Sequence, residues 1–285
     1  MLKVGGHLST SGGLSTAFLK SQEIGANTFQ IFSNSPRMWA SRTISSEQIL
    51  QFVKAKQELH IDPIYFHAPY ILNLADAAEI GRKSVECLIS ELRLAHALSI
   101  KGTIVHVGSL KDNDKNIGFK TVIKNIKMVL ENTPEETLFI IENAGSHKIG
   151  ASLEEIGQLV SELNNPRIRV CLDTCHLFAA GYDISTQEKF DVFFEKFDQL
   201  IGLEKLEVFQ VNDSKDSLGS FRDRHENIGK GTIGLETFRL LLNNSLTKNI
   251  PFILEVPGEN KSGPNKANVD ILKGLVDDRV KKPGD

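Results

Sequence analysis

The segment DTCHLFAAGYD, Asp173 to Asp183, sets a carboxylate and an imidazole three residues apart directly after the apolar run IRVCL. Two tasks suit such a pair: holding a divalent cation, or capping and filling the end of a strand. Asp223 and His225, in FRDRHENIGKG, lie two residues apart, so extended backbone would turn both side chains the same way. Other candidates stand at or near the ends of apolar runs: His7, His67, His106, Glu142 and Glu255, with Gln210 inside LEVFQV. Imidazoles and carboxylates without clustered thiolates form a donor set for zinc, with manganese as the alternative. Singly, each has a plainer use. Glu142 could accept hydrogen bonds from the loop after it, and His106 could be a neutral residue at the core edge. As a set they demand compensation, because several buried ionisable groups without it are costly. His7 suits a supporting position that orients a ligand better than ligation itself. His60, His96 and His147 read as surface or packing groups. Cys171 and Cys175, which flank Asp173, read as packing rather than thiolate ligands.

The elements must bring these residues together. At 285 residues, with 40% hydrophobic and 24% charged residues, the chain can bury a barrel-sized core and has an ordinary soluble composition. No apolar run is long enough to span a bilayer, and MLKVGGHLST lacks the basic segment and apolar core of a signal peptide. Cys87, Cys171 and Cys175 cannot all pair within one chain, which points to a reducing cytoplasm. A net charge of −3 gives no global argument for a polyanionic partner, although phosphate contacts depend on local potential and bound cations. Eight short apolar runs (KVGGH, TFQIF, PIYFH, TIVHV, LFIIE, RVCLD, LEVFQV and PFILE) alternate with longer amphipathic segments. The helical period shows at Leu50, Val53 and Leu59, and again at Ile123, Ile126 and Leu130, which predicts core-facing positions. Eight strands each leading into a helix predict an α/β fold, a single (β/α)8 TIM barrel spanning residues 1–285. Such barrels build sites at the C-terminal mouth, where these strand ends would aim their side chains. The polar tail at 277–285 is expected to fray. Nothing in the sequence fixes the loop after the seventh strand except what it binds, so an ordering metal is expected there.

Taken together the pattern resembles the endonuclease IV family of apurinic/apyrimidinic endonucleases. Matching segments run through nearly the whole chain in the family's order: GGHLSTSGGL, NSPRMW, FHAPYILNL, IVHVGS, IENAG, DTCHLFAAGYD, VNDSKDSLGSFRDRHENIGKGTIG and LEVPG. The resemblance implies a barrel holding three zinc ions that incises DNA 5′ to an abasic site in base excision repair, leaving a 3′ hydroxyl and a 5′ deoxyribose phosphate. Carried over by position, His67, His106 and Glu142 hold one ion. Glu142 bridges to a second, bound also by Asp173 and Glu255, and His176, Asp223 and His225 hold the third. One position departs: where the family has a histidine on the second ion, this chain has Gln210, whose amide oxygen is a poorer zinc donor than imidazole. That predicts preserved chemistry with looser metal binding.

Bridged ions of this kind activate water for in-line attack on a phosphodiester, so no side-chain nucleophile is needed, and Glu142 would also help orient the water. The implied partner is double-stranded DNA with abasic sites or blocked 3′ ends, held chiefly by its phosphates; a monomer suffices. The resemblance also implies that Arg37 in SPRMW enters the duplex near the lesion, and that Tyr70 and Ile71 contact the minor groove or stack. Lys215, Arg222, Arg224 and Lys230 give the seventh loop a positive bias. Met38 and Trp39 could merely pack their loop. Two rival readings use the residues less fully. A sugar isomerase or epimerase on the same barrel leaves His67 and the DRH pair without work, and a noncatalytic binder of abasic DNA rests on Gln210 alone.

Overall fold

The computed structural model describes residues 2–39, 43–110 and 115–277. Eight parallel strands close a barrel: β1 (Val4–Leu8), β2 (Thr28–Phe32), β3 (Ile64–His67), β4 (Gly102–Val105), β5 (Leu138–Glu142), β6 (Ile168–Asp173), β7 (Leu206–Gln210) and, after an antiparallel ribbon of β8 (Asp213–Ser214) with β9 (His225–Glu226), β10 (Phe252–Leu254). The barrel strands follow chain order, and β10 pairs with β1. The helices are α1 (Thr16–Ile24), α2 (Ser46–Glu58), α3 (Glu79–Ala97), α4 (Lys115–Glu131), α5 (Leu153–Leu163), α6 (Thr174–Ala179), α7 (Gln187–Leu200), α8 (Leu235–Asn243) and α9 (Lys266–Gly274). The expected strands all form, β2 and β5 with the expected bounds and the others with ends shifted by a residue or two. The short α6 and the ribbon were not foreseen. The fraying expected of the tail concerns, past Asp277, residues outside those described.

Ile123, Ile126 and Leu130 are buried as their spacing predicts. Leu50 is not; it is 71% exposed. Helix α2 rests on the barrel through one buried residue, Phe52, whose ring packs edge-on against Phe18 at 4.8 Å, and that phase turns Leu50 to solvent.

Inside the barrel, Tyr65, Ile104, Ile140, Cys171, Val208 and Ile253 form a fully buried apolar layer. Side chains alternate across a strand, so the residue two further along each one faces the same interior, one layer nearer the mouth. Those residues are His67, His106, Glu142, Asp173, Gln210 and Glu255. His106 and Glu255 stand one residue past the ends of β4 and β10. On β1 the same step leads from Gly5 to His7. A Cβ on Gly5 would lie 1.7 Å from the Thr28 carbonyl oxygen, so β1 can approach β2 there only as glycine.

One acid points inward from α3. Glu91 is buried, and its carboxylate accepts from the Ser33 hydroxyl, at the start of the loop that carries Arg37. Burial raises its pKa to about 7, against the lowering effects of the Ser33 bond and of the charge on His67. A carboxyl raised from its ordinary 4.5 adds stability that is full below that value and lost as pH rises through about 7. Relative to a Glu91→Gln variant, the native protein should therefore lose up to about 3 kcal/mol between about pH 5 and pH 8. Urea unfolding of both proteins at matched metal content measures this. Parallel stability profiles across that range would show that Glu91 does not titrate there.

Candidate metal centre

The bowl at the barrel mouth is organised around Glu142, buried at the end of β5. Its Oε2 lies 3.0 Å from His67 Nε2, and its Oε1 lies 3.3 Å from His106 Nε2 and 3.2 Å from His176 Nδ1. His176 Nε2 faces Asp223 Oδ1 at 3.0 Å, and the same oxygen is 3.3 Å from His225 Nε2. His225 Nε2 in turn stands 3.6 Å from Asp173 Oδ2. A chain of carboxylates and imidazoles thus runs from one wall of the bowl to the other. Among the described residues, the donor atoms of His67–His106–Glu142, of Glu142–Asp173–His176, of His176–Asp223–His225 and of Asp173–Cys175–His225 lie close enough to share an ion.

Asp173 caps a helix with one oxygen and keeps the other for the bowl. Oδ1 accepts from the His176 amide at 3.0 Å and so caps α6, while Oδ2 accepts from Asn212 Nδ2 at 2.6 Å and faces His225. By starting a helix at the strand end, the cap brings the His176 ring back over Glu142.

The imidazoles are set up as donors. Nδ1 of His67, His176 and His225 lies 2.7, 3.0 and 3.2 Å from the carbonyl oxygens of Ala68, Asn143 and Glu255. An Nδ1–H given to a carbonyl leaves Nε2 as the free lone pair, the usual arrangement of a metal-binding histidine. Among the buried atoms of the bowl, His7 Nε2, His106 Nδ1 and Gln210 Oε1 have no hydrogen-bond partner, while Glu142 Oε1, His176 Nε2 and His225 Nε2 make no hydrogen bond beyond the ion-pair contacts just given. Unsatisfied buried groups are few in a native protein, and a cluster of them calls for an ion. The electrostatics agree. Burial alone would lower His67 and His225, yet the carboxylates around them hold both at about 9, and His176 is likewise raised. Burial and the neighbouring cations push His106 down to about 4, despite Glu142. Burial would raise Glu142 and Asp223, but the facing imidazoles hold both well below the carboxylate range. Against the same burial, Glu255 falls to about 2 through His7 and His67. A bowl that draws protons onto its histidines offers the same charge to divalent cations. Cys175 is different: burial pushes its thiol up to about 12, which leaves it a neutral packing group beside Asp173.

His7 lies beside Glu255, with Nδ1 2.9 Å from Oε1. Gln210 does not stand alone: its Nε2 donates to Gln30 Oε1 at 3.1 Å, and Gln30 Nε2 donates to Glu255 Oε1 at 2.5 Å. Other supports escaped the sequence reading. Asn212 bonds Asp173 through Nδ2 and accepts the Glu255 amide at 2.7 Å through Oδ1, and Asn143 Oδ1 accepts the Asp173 amide at 2.6 Å. Asp213 accepts from the amides of Ser214, Gly229, Gly231 and Ile233 at 2.9, 2.9, 3.1 and 3.0 Å. That clamp, with the β8–β9 ribbon, corrects the expectation that only a ligand orders the seventh loop. Both ends of the loop are tied by the protein itself, and Asp223 and His225 are presented from a fixed base.

The surface candidates divide. Arg37 and Tyr70 are exposed, and Tyr70 packs edge-on to Phe32 and His67 at 5.3 and 5.8 Å. With Ile71 and Lys148, Tyr70 lines a cavity of about 230 Å³ that reaches His106. Trp39 packs against the core while Met38 is half-exposed. Arg224 is bound to Asp216, Nε to Oδ2 at 2.6 Å, with Arg222 3.7 Å from the same carboxylate and Lys215 3.9 Å from Glu226. The positive bias expected of that loop is therefore partly cancelled, although Lys230 is exposed.

A family described as xylose isomerase-like TIM barrel matches residues 18–275. A probable endonuclease 4 from Sulfurihydrogenibium sp. is 39% identical over 280 residues, covering 97% of this chain and 100% of that protein. The crystal structure of endonuclease IV from Thermus thermophilus superposes with a TM-score of 0.84 at 31% identity, over 96% of this chain and 98% of the other. A D-tagatose 3-epimerase-like protein reaches 0.70 at 18% identity, over 96% and 95%, a likeness of fold alone.

Asn212 offers a direct check on the bowl as a metal centre. Residues that orient ligands change metal affinity by about 10- to 100-fold when lost. Asn212→Ala should release metal to a competing chelator more readily by a factor in that range, with an unchanged circular dichroism spectrum. Equal retention by the variant and the native protein would show that Asn212 does not orient a ligand.

Proposed function

Because this chain belongs to the endonuclease IV family, we propose that it is a zinc-dependent deoxyribonuclease that incises duplex DNA 5′ to abasic sites. The observation that carries this reading is Glu142, a buried carboxylate with three imidazoles on it and a further imidazole–carboxylate group beyond. His67, His106 and Glu142 would hold one zinc, Glu142, Asp173 and Glu255 with Gln210 a second, and His176, Asp223 and His225 a third, manganese being the alternative metal. Bound there, such ions supply water activation near neutral pH and charge balance for the phosphoryl and departing oxygens. The protein's own part is placement. Glu142 orients the attacking water, the Nδ1–carbonyl bonds lock the rings, and the apolar layer below closes the bowl against bulk solvent. The neutral Cys175 thiol takes no part as nucleophile.

DNA would cross the mouth with its phosphates near Lys148 and Lys230, and with Arg37, Tyr70 and Ile71 at the lesion. Lys215, Arg222 and Arg224 would contribute less, since each faces a carboxylate. The products would be a 3′ hydroxyl and a 5′ deoxyribose phosphate, in base excision repair, with trimming of blocked 3′ ends as a related activity. A cytoplasmic monomer serves this role; among the described residues no helix is long and apolar enough to cross a membrane. A sugar epimerase would leave the group His176–Asp223–His225 idle.

An end-labelled duplex with one abasic analogue that resists β-elimination tests the proposal. Incision 5′ to the analogue should vanish on chelation and return with zinc, and Glu142→Gln should lower it on the order of 10³-fold. Binding without incision in every metal state would overturn the enzyme reading. Gln210→His should raise the number of ions retained through mild chelation. An unchanged count would mean that Gln210 does not limit the second site.

A further inference from the structure

Two exposed rings meet beside the mouth. His147, in the loop after β5, and Phe221, in the loop after β8, stack at 4.5 Å between centroids and 18° between planes. Phe221 has φ 53°, a left-handed conformation rare for a bulky side chain. Its amide donates to the Ala179 carbonyl at 2.9 Å, and the ring is left 39% exposed. The backbone thus adopts an unfavourable conformation to hold a phenyl ring outside the core. Both rings line a cavity of about 320 Å³ with Ile149, Ala180 and Tyr182.

Lys148, next to His147, borders this cavity and also the mouth cavity that reaches His106. It is exposed, and among the described residues it makes no ion pair. Its charge is felt at His106. The Lys148 ammonium group therefore stands between the candidate metal centre and a pair of stacked rings, whose cavity is lined by those apolar residues and by the Lys115–Glu155 ion pair. A planar stack beside a cation is the chemistry that takes a base and its phosphate, and every base has a face to offer it. A paired base inside a duplex has both faces covered, so the occupant must be a nucleotide displaced from the helix. A lesion that lacks a base makes such displacement cheap for its neighbours.

We propose that the His147–Phe221 pair is a stacking platform for an unpaired nucleobase of the bound DNA, with Lys148 on a phosphate between that base and the abasic nucleotide. The inference rests on the endonuclease reading above. The simpler role for the rings is to pin the two loops together and steady the base of Asp223.

Fluorescence anisotropy separates the two. Holoenzyme is titrated with duplexes that carry an uncleavable linkage 5′ to the abasic analogue and lack one further base, at successive positions along either strand. In the native protein, loss of one particular base should weaken binding about tenfold. That penalty should disappear in His147→Ala and in Phe221→Ala, and return in His147→Tyr and Phe221→Trp. Lys148→Ala should weaken all duplexes alike and flatten the salt dependence. Metal counted on each variant shows whether Phe221→Ala has disturbed the centre through Asp223; should it do so, His147→Ala on the separate loop decides. If the native protein binds abasic duplex but every base-deletion penalty survives in both alanine variants, the platform is overturned and the endonuclease reading stands. Failure of the native protein to bind or incise any abasic duplex overturns both.

Discussion

A carboxylate cannot lie at the centre of a closed barrel unless something answers its charge, and Glu142 lies there without solvent contact. Desolvation of an isolated ion costs several kcal/mol even after relaxation. Three imidazoles, from β3, from the residue after β4 and from α6, supply the answer at 3.0, 3.3 and 3.2 Å. Each imidazole then needs its own orientation, which explains the carbonyl behind His67 and the one behind His176. His176 also needs a partner on its far nitrogen, which brings in Asp223 and through it His225. The site grows outward from one buried charge.

The barrel makes that growth possible through its period of two. Every inward residue of the apolar layer is followed, two positions on, by a polar residue of the bowl, and this holds for six strands from Tyr65–His67 to Ile253–Glu255. That regularity is why the fold and most of the bowl were legible in the sequence: apolar runs that end in an acid or an imidazole are strands aimed at one mouth. The legibility stops where position depends on closure of a long loop. Asp213 looks like any loop aspartate, and its bonds to the amides of Gly229, Gly231 and Ile233 exist only once the chain has returned. Asn212 and Gln30 read as polar residues in or beside apolar strands, with no pattern to mark them as supports. Helix α6 is too short to show a period, and its one signal, Asp173 as a cap, coincided with the signal for a ligand. On α2 the expectation fails at Leu50 alone: the helix turns Phe52 inward, with Val53 and Leu59 half-buried on the same side.

The barrel itself does not separate a nuclease from a sugar epimerase, since proteins below 20% identity share it. The difference lies in what the loops add above the strands. His67, His106, Glu142, Asp173 and Glu255 belong to the barrel, whereas Asp223 and His225 are delivered by the segment between β8 and β10, anchored by Asp213 and the ribbon. A small ligand could be handled by the strand residues alone. The loop thereby sets a second imidazole–carboxylate group, His176–Asp223–His225, beside the strand residues.

Gln210 shows how one buried carboxylate dictates the polarity of its neighbours. Glu255 is held ionised, so its Oε1 can only accept, and the Gln30 amide must turn its NH2 toward it. That leaves Gln30 Oε1 facing Gln210, which must in turn offer its own NH2. A reversed Gln210 would set two amide oxygens against each other. The orientation is thus fixed from Glu255 through two amides, and Gln210 Oε1 is left without a hydrogen-bond partner, on the residue in register with Asp173 of β6. Where the family resemblance has an imidazole nitrogen, this chain presents a preset neutral oxygen. Among Glu142, Asp173, Gln210 and Glu255 every donor atom is oxygen, so an ion shared by these four would meet a harder set than one with an imidazole in place of Gln210.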